Sequence, residues 1–287
     1  MLLSADTRRK KSSQRSSCVW SQALDPRLKK FRQKARRMQK LRFTPADDVI
    51  FTSYFFSKQN PQPNRAGDNL FAPKNSISYI FPWYVSVRHL GLNAVVIHDG
   101  LSEQFISEHE SDKLQFIYHE PDRYSLNDER YIALNQILQK NELRRVLMTD
   151  GSDLLVKKDP FEFIADTGKM YFGSDMARTP RIRDNVWCMK KMTALMEASQ
   201  GRVSVDESFL DFEYINAGVY GGSYANVKSF TEGLVSLFEI IDNDKNNNMM
   251  AINYLLWKYK IPYFKGQPLT SKFKEFEMHG DYYIVHK

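Results

Sequence analysis

The chain has 287 residues, of which 42% are hydrophobic and 13% aromatic, and this composition predicts a globular protein with a sizeable core. No apolar run approaches the ~18 residues that a membrane-spanning helix needs, and residues 1–3 are too short an apolar start for a secretory signal. The two cysteines, Cys18 and Cys188, exclude a disulfide framework and a zinc-ligand spacing, so a reducing, cytoplasmic setting is favoured.

The net charge of +7 is distributed unevenly along the chain. Residues 1–45 carry 14 basic and two acidic side chains, whereas the rest of the chain is mildly acidic. This basic N-terminal arm is predicted to be disordered at its start and helical over residues 26–42, where apolar side chains recur at helical spacing. A solvated helix packed on the body is the favoured interpretation, and contact with an anionic surface, such as a nucleic acid or an acidic membrane, is the alternative.

After the arm, β-branched and aromatic runs alternate with helical patterns. The predicted strands are residues 49–56, 93–98, 114–118 and 146–148, and the predicted helices are residues 76–90, 102–109 and 128–139. This alternation predicts an α/β fold with a parallel sheet and right-handed crossovers. Ligands of such sheets bind at the carboxyl ends of the strands, which is where Thr52, Ser53 and Asp99 are expected.

The acidic turn Asp150-Gly151-Ser152-Asp153 follows the fourth predicted strand and is the most informative part of the chain. Two carboxylates at the end of an apolar strand repel each other, and a divalent cation would remove that cost. Carboxylates together with substrate phosphates suit Mg²⁺ or Mn²⁺. A solvated hairpin is the alternative, since Asp, Gly and Ser are common turn residues. The sequence contains neither a GxGxxG nor a GxxxxGK[ST] motif, so a metal on this turn is the predicted means of holding phosphates.

The second half of the chain is less regular. An apolar run at 154–156 follows the turn; strands are predicted at 169–174 and at 214–222, helices at 187–199, 227–241 and 249–258, and a closing segment at 276–285. The segment at 214–222 is Gly-rich and is expected to bend, because Gly218 and Gly221 permit conformations closed to other residues.

Several motifs occur in an order that resembles a known family. They are FTSYFFSKQNPQPNR, FPWYVSVRHLGLNAVVIHDGLS, SLNDERY, TDGSDLLVKKDPF, YINAGVYGG, NNNMMAINYLL and the terminal YIVHK, and they lie within residues 49–287. Together they resemble GT-A-type, nucleotide-sugar-dependent glycosyltransferases. The resemblance implies a Rossmann-like domain over residues 46–287, with a mixed, mostly parallel sheet flanked by helices. It also implies a Mn²⁺- or Mg²⁺-dependent transfer of a sugar from a nucleoside-diphosphate sugar, with UDP expected, to a glycan or glycoprotein hydroxyl.

The resemblance further implies roles for individual residues. The expected metal ligands are Asp150, Asp153 and His286, and Asp153 is the better match because this turn is D-x-x-D rather than D-x-D. The expected donor contacts are Thr52, Ser53, Tyr54, Asp99, Arg130, Asp150, Ser152, Asp153, Ala217 and Gly218. Arg130 is expected to hold Asp128 or to reach the diphosphate. Asn248 is assigned to the acceptor.

Three residues are assigned to catalysis. Asp175 would be the general base if the reaction inverts the anomeric carbon, and Asn216 would carry more of the catalysis if it retains configuration. Lys287 would neutralise the departing diphosphate. The donor sugar, the acceptor, the stereochemistry and the oligomeric state are left open.

Three other functions compete with this interpretation. The first is a nucleic-acid or polyanion-binding protein that works through the basic arm. The second is a nucleotidyltransferase, which would need a third carboxylate near the acidic turn, where only Asp159 lies close in sequence. The third is a transferase-like fold that binds sugar nucleotides without turnover.

Overall fold

The computed structural model describes residues 40–57, 75–175, 180–275 and 277–286. Most of the basic arm and Lys287 lie outside the described residues. The arm's last residues pack on the body: Leu41 is buried, and its backbone N–H donates to Asn141 Oδ1 at 3.1 Å. The body therefore begins a few residues before the predicted boundary at residue 46.

Within the described residues, nine strands form two sheets. In chain order they are β1 (Asp48–Tyr54), β2 (Ala94–His98), β3 (Leu114–Tyr118), β4 (Arg145–Thr149), β5 (Leu154–Val156), β6 (Met170–Phe172), β7 (Val219–Ser223), β8 (Tyr263–Lys265) and β9 (Ile284–His286). The central sheet has seven strands in the order β3-β2-β1-β4-β7-β6-β8, and β5 pairs with β9 in a small second sheet. Strands β1 to β4 are parallel, while β7 runs antiparallel to both β4 and β6. The predicted α/β fold with a mixed, mostly parallel sheet is confirmed.

In the same part of the chain, seven α-helices accompany these strands. They are α1 (Phe81–His89), α2 (Glu103–His109), α3 (Leu126–Lys140), α4 (Val186–Ala198), α5 (Glu207–Leu210), α6 (Tyr224–Ile241) and α7 (Asn248–Tyr259). The side chains of Ser102, Ser125 and Ser223 accept backbone N–H groups at the starts of α2, α3 and α6, which satisfies donors that a helix start otherwise leaves unpaired. Among the residues that the structure describes, no helix combines the length and the apolar composition that crossing a membrane requires.

The central sheet separates two apolar cores because successive side chains of a strand point to opposite faces. Phe51, Val95 and Met148 belong to the core on the side of α3 and α6. Ile50 and Leu147 belong to the core on the side of α1 and α2. Since the inner strands are covered on both faces, they read as continuous hydrophobic runs rather than alternating ones.

Three predicted elements differ from the structure. The helix predicted at 76–90 is split into a short 3-10 turn (Ile77–Ile80) and α1, because Pro82 has no N–H to donate to the preceding turn. The strand predicted at 214–222 begins only at Val219, since the segment before it bends and is pinned by Asn253, whose side chain bonds both the N–H and the C=O of Ile215. In the closing segment, only β9 is a strand.

The strand order reverses next to β1. The chain runs outward from β1 through β2 and β3, and β4 then returns to the other side of β1. Open α/β sheets bind their ligands at such a switch point, outside the carboxyl ends of the strands. The acidic turn follows β4 at this place.

Candidate metal centre and adjoining cavity

Asp150, Asp153 and His286 converge at the carboxyl edge of the sheet. His286 Nε2 lies 3.9 Å from Asp150 Oδ2 and 3.8 Å from Asp153 Oδ2. Each residue offers one ligand atom, and these atoms all lie within 4.8 Å of one another. The three residues predicted to be metal ligands therefore form a group that could hold a metal ion.

Local pairing explains how the chain brings these residues together. Asp153 directly precedes β5, and its neighbour Leu154 is paired with His286 of β9. The His286 backbone N–H donates to Ser271 Oγ at 2.9 Å. The backbone N–H of Asp150 donates to the Gly218 carbonyl at 2.7 Å, which ties the acidic turn to the bend before β7.

The His286 ring is buried without hydrogen bonds. It is 1% exposed, its centroid lies 4.5 Å from that of the Phe273 ring, and neither ring nitrogen has a hydrogen-bond partner within the described part of the chain. Asp153 Oδ1 is likewise buried with no partner there. Buried polar atoms without partners are costly. A cation held between the carboxylates and the imidazole would satisfy both, so these residues fit a metal.

Gly218 allows the side chains of His286 and Asp150 to lie close to the backbone of the bend. A Cβ atom at this position would lie 2.4 Å from His286 Cε1 and 2.8 Å from Asp150 Oδ2, so no other residue fits without displacing them. The Asn216 side-chain oxygen accepts the Gly218 N–H at 2.7 Å and fixes the bend. The Asn-Ala-Gly segment thus brings the backbone close to His286 and Asp150.

Arg130 supplies a positive charge beside the metal group. Its guanidinium forms an ion pair with Asp150 and donates to the Ala217 carbonyl at 3.2 Å. Burial works against the charge of Arg130, but the neighbouring Asp150 carboxylate raises its pKa, so Arg130 stays positive. The expected ion pair between Arg130 and Asp128 is wrong, because Arg130 pairs with Asp150 instead.

Asp128 instead anchors the start of α7. It is fully buried, and its carboxylate accepts the backbone N–H groups of Asn247 at 3.1 Å and Asn248 at 2.8 Å. Burial raises the pKa of Asp128 to about 7, although these hydrogen bonds act in the opposite direction.

A cavity of about 340 Å³ adjoins the metal group. The predicted site residues that line it are Arg130, Asp150, Asp153, Asp175, Asn216, Ala217, Gly218, Asn248 and His286. Eight further residues, not predicted as site residues, also line it: Asn127, Asn185, Trp187, Tyr214, Asn246, Met249, Phe273 and Lys274. Four of them lie within motifs that carry the resemblance and could have been found there: Asn127 in SLNDERY, Tyr214 in YINAGVYGG, and Asn246 and Met249 in NNNMMAINYLL.

Three predicted donor contacts, Thr52 and Tyr54 on β1 and Asp99 directly after β2, lie outside the cavity lining, and their polar atoms bind the protein's own backbone. The Thr52 hydroxyl donates to the Thr149 carbonyl at 3.1 Å, and Tyr54 Oη donates to the Ser76 carbonyl at 3.0 Å. The Asp99 carboxylate accepts the N–H groups of Phe56 at 3.0 Å and Ser57 at 2.8 Å. These three side chains support the loops at the edge of the sheet, and their contact with a donor stays a prediction.

Two further predicted donor residues are more accessible. Ser53 is half-buried in β1, and Ser152 is exposed in the acidic turn. Their contact with a donor also stays a prediction, while Lys287 lies outside the described residues.

Comparison with known proteins returns no relative. No protein-family model matches the chain, and no curated protein matches it significantly in sequence. The geometry and chemistry of the site are therefore the basis for assigning a function.

Proposed function

We propose that this protein is a metal-dependent glycosyltransferase. It would move a sugar from a nucleoside-diphosphate sugar, with UDP as the expected nucleotide, to a hydroxyl of a glycan or glycoprotein. The observation that carries this proposal is the convergence of Asp150 and Asp153 on the buried imidazole of His286, whose nitrogens have no hydrogen-bond partner among the described residues.

The ligand set suits Mn²⁺ or Mg²⁺. Proteins bind both Mn²⁺ and Mg²⁺ through carboxylates together with substrate phosphates, and the imidazole favours Mn²⁺ over Mg²⁺. Because Arg130 pairs with Asp150, Asp153 leaves one negative charge in excess, and a divalent ion reverses that sign. When bound, the ion would supply the positive charge that attracts and stabilises a diphosphate.

The position of the group supports a nucleotide ligand. It lies at the carboxyl edge of the sheet and next to the β1/β4 switch point, where open α/β sheets hold their ligands. The cavity opens beside the metal group and is lined by both acidic and amide side chains, which offer hydrogen bonds to the hydroxyl groups of a sugar.

Two cavity residues are proposed to act in the transfer step. Asp175 follows β6 and lines the cavity, so its carboxylate would take the proton from the acceptor hydroxyl in an inverting reaction. Asn216 holds the Gly218 N–H and so fixes the bend against which the sugar would lie.

The decisive experiment measures binding and turnover with and without Mn²⁺. Thermal midpoints and nucleotide release are recorded with UDP-, GDP- and dTDP-sugars for the wild type and Asp153→Asn. We expect one nucleotide to raise the midpoint only when Mn²⁺ is present, because a ligand that binds only the native state stabilises it by mass action. Asp153→Asn should lose this shift and lower turnover by about 10²–10³-fold, as removal of a main electrostatic element does.

Asp166→Asn is the matched control, since Asp166 is exposed and lies outside the cavity lining. It removes the same charge and should leave both readouts unchanged. The absence of any Mn²⁺-dependent shift in the wild type would overturn the proposal. Salt-sensitive polyanion binding that disappears on deletion of residues 1–45 would then favour the alternative that the basic arm is the working part.

A further inference from the structure

Asparagine side chains form much of the cavity wall, and most of them are engaged within the protein. Asn216 Oδ1 accepts the Gly218 N–H, and Asn185 Oδ1 accepts the Trp187 N–H at the start of α4. Asn248, which the sequence assigns to the acceptor, donates its side-chain N–H to the Asn127 carbonyl at 3.1 Å. These contacts shape the wall.

Asn246 is different. It is 6% exposed and lines the cavity, and its side-chain oxygen is buried with no hydrogen-bond partner among the described residues. An unpaired buried acceptor lowers stability unless a ligand supplies the missing donor. A polar atom kept in this state beside a cavity is therefore a candidate for substrate contact.

The chain holds Asn246 firmly on both sides. Its backbone carbonyl accepts the Lys191 ammonium at 3.2 Å. The next two backbone N–H groups, those of Asn247 and Asn248, are bound by the Asp128 carboxylate. The backbone that carries this side chain is thus held in place before any ligand arrives, which reduces the cost of binding.

The location favours the transferred sugar as the partner. In a nucleoside-diphosphate sugar the sugar directly follows the phosphates, so a diphosphate on the metal group would direct the sugar into the adjoining cavity. Sugar hydroxyls are hydrogen-bond donors and complement an amide carbonyl. We propose that Asn246 is a specificity-determining residue whose side-chain oxygen accepts a hydrogen bond from a hydroxyl of the transferred sugar. This inference rests on the proposed function.

The test compares nucleotides with sugar nucleotides. Dissociation constants are measured by calorimetry in Mn²⁺ for UDP, GDP and dTDP and for a panel of their hexose and deoxyhexose conjugates. For the conjugate that the wild type binds most tightly, Asn246→Leu should weaken binding about tenfold, the equivalent of one good hydrogen bond, while affinity for the free nucleotide is unchanged. Asn246→Asp keeps an acceptor at the same position and should retain more of the affinity than the leucine variant.

Stability separates this role from a structural one. Replacing an unpaired acceptor by an apolar group of similar size should leave the thermal midpoint of Asn246→Leu unchanged or raise it. The matched control is Asn141→Leu, because both groups of the Asn141 amide are paired, with the Leu41 N–H and the Ile137 carbonyl. That control should lower the midpoint and leave the ratio of the two dissociation constants unchanged.

The possible failures are distinct. If the wild type and Asn246→Leu show the same ratio of sugar-nucleotide to nucleotide affinity, the role of Asn246 is overturned and the proposed function stands. If no nucleotide binds in Mn²⁺, both are overturned. Should Asn246→Leu fail to fold, Asn246→Ala gives the same comparison with a smaller side chain.

Discussion

Two clusters of charged side chains lie at opposite ends of the parallel strands and differ in how they are neutralised. At the amino ends, the Asp48 carboxylate accepts Nε of Arg144 at 2.8 Å and Nε of Arg145 at 2.7 Å, and Arg145 also donates to the Phe161 carbonyl at 2.6 Å. At the carboxyl ends, the described residues give Asp150 one arginine partner, Arg130, and give Asp153 none, and neither ring nitrogen of His286 has a hydrogen-bond partner there.

The difference separates a charge cluster that the chain neutralises by itself from one that could take up a metal ion. The amino-end cluster is complete, because two arginines surround one carboxylate and the pKa of Asp48 is lowered by their hydrogen bonds in spite of burial. Within the described residues, the carboxyl-end cluster has carboxylates in excess and an imidazole whose nitrogens have no hydrogen-bond partner. A cation bound from solution would complete a group of this second kind.

The largest expected effect comes from removing the imidazole. His286→Gln should weaken Mn²⁺ binding by about 100-fold or more, since even changes in the residues behind a metal ligand cost 10–100-fold. The measurement is the dissociation constant for Mn²⁺. His98→Gln is the control, because His98 is also buried but accepts the Leu101 N–H at 3.2 Å and should not affect the metal. Equal losses in both variants would contradict the distinction.

Removal of the complete cluster's carboxylate should affect stability and leave metal binding unchanged. We expect Asp48→Asn to cost about 1–3 kcal/mol of unfolding free energy, below the range for fully buried pairs because Arg144 is half-exposed. Because the pKa of Asp48 is below its ordinary value of 3.8, its contribution is present above pH 4 and is lost as the pH falls through the lowered pKa. Denaturant unfolding with and without Mn²⁺ tests this prediction. If Mn²⁺ restored the stability that Asp48→Asn loses, the two clusters would not differ in the way described.

Asp128 offers a third case for comparison, because it is a buried carboxylate bound by amide N–H groups rather than by arginines. Its pKa of about 7 in the folded protein, against an ordinary 3.8, means that the native state binds more protons than the unfolded state between these values. Stability should therefore fall as the pH rises from 5 to 8, by at most about 3 kcal/mol. Asp128→Asn removes this slope, which unfolding curves across that range would detect. An identical slope in the variant would show that another group titrates.

Much of the fold could be predicted because its signals are local. The strands β1 to β4 are continuous apolar runs, and serine caps mark the starts of α2, α3 and α6. Strand β8 could not be found in this way, since its three residues, unlike the three apolar residues of β5, include Lys265 and form no continuous apolar run. Its place in the sheet follows from pairing with β6, which is distant in sequence.

The site residues follow the same rule: those close together in the sequence could be predicted, and those brought together by tertiary packing could not. Asp150 and Asp153 lie in one turn and were visible as a pair. The partner of Arg130 could not be predicted in this way. Residues i and i+2 of a helix do not face each other, so Arg130 points away from Asp128 and pairs with Asp150. The cavity walls at Asn185, Trp187 and Phe273 come from segments that only tertiary packing brings together.

The pairing of Leu154 with His286 has one more consequence. An ion held by Asp153 and His286 would join two strands that are far apart in the chain, and so it would act as a cross-link that closes a long loop. The free energy of metal binding would then become free energy of holding the C-terminal strand on the body. The availability of the metal would then determine how stably β9 is held on the body.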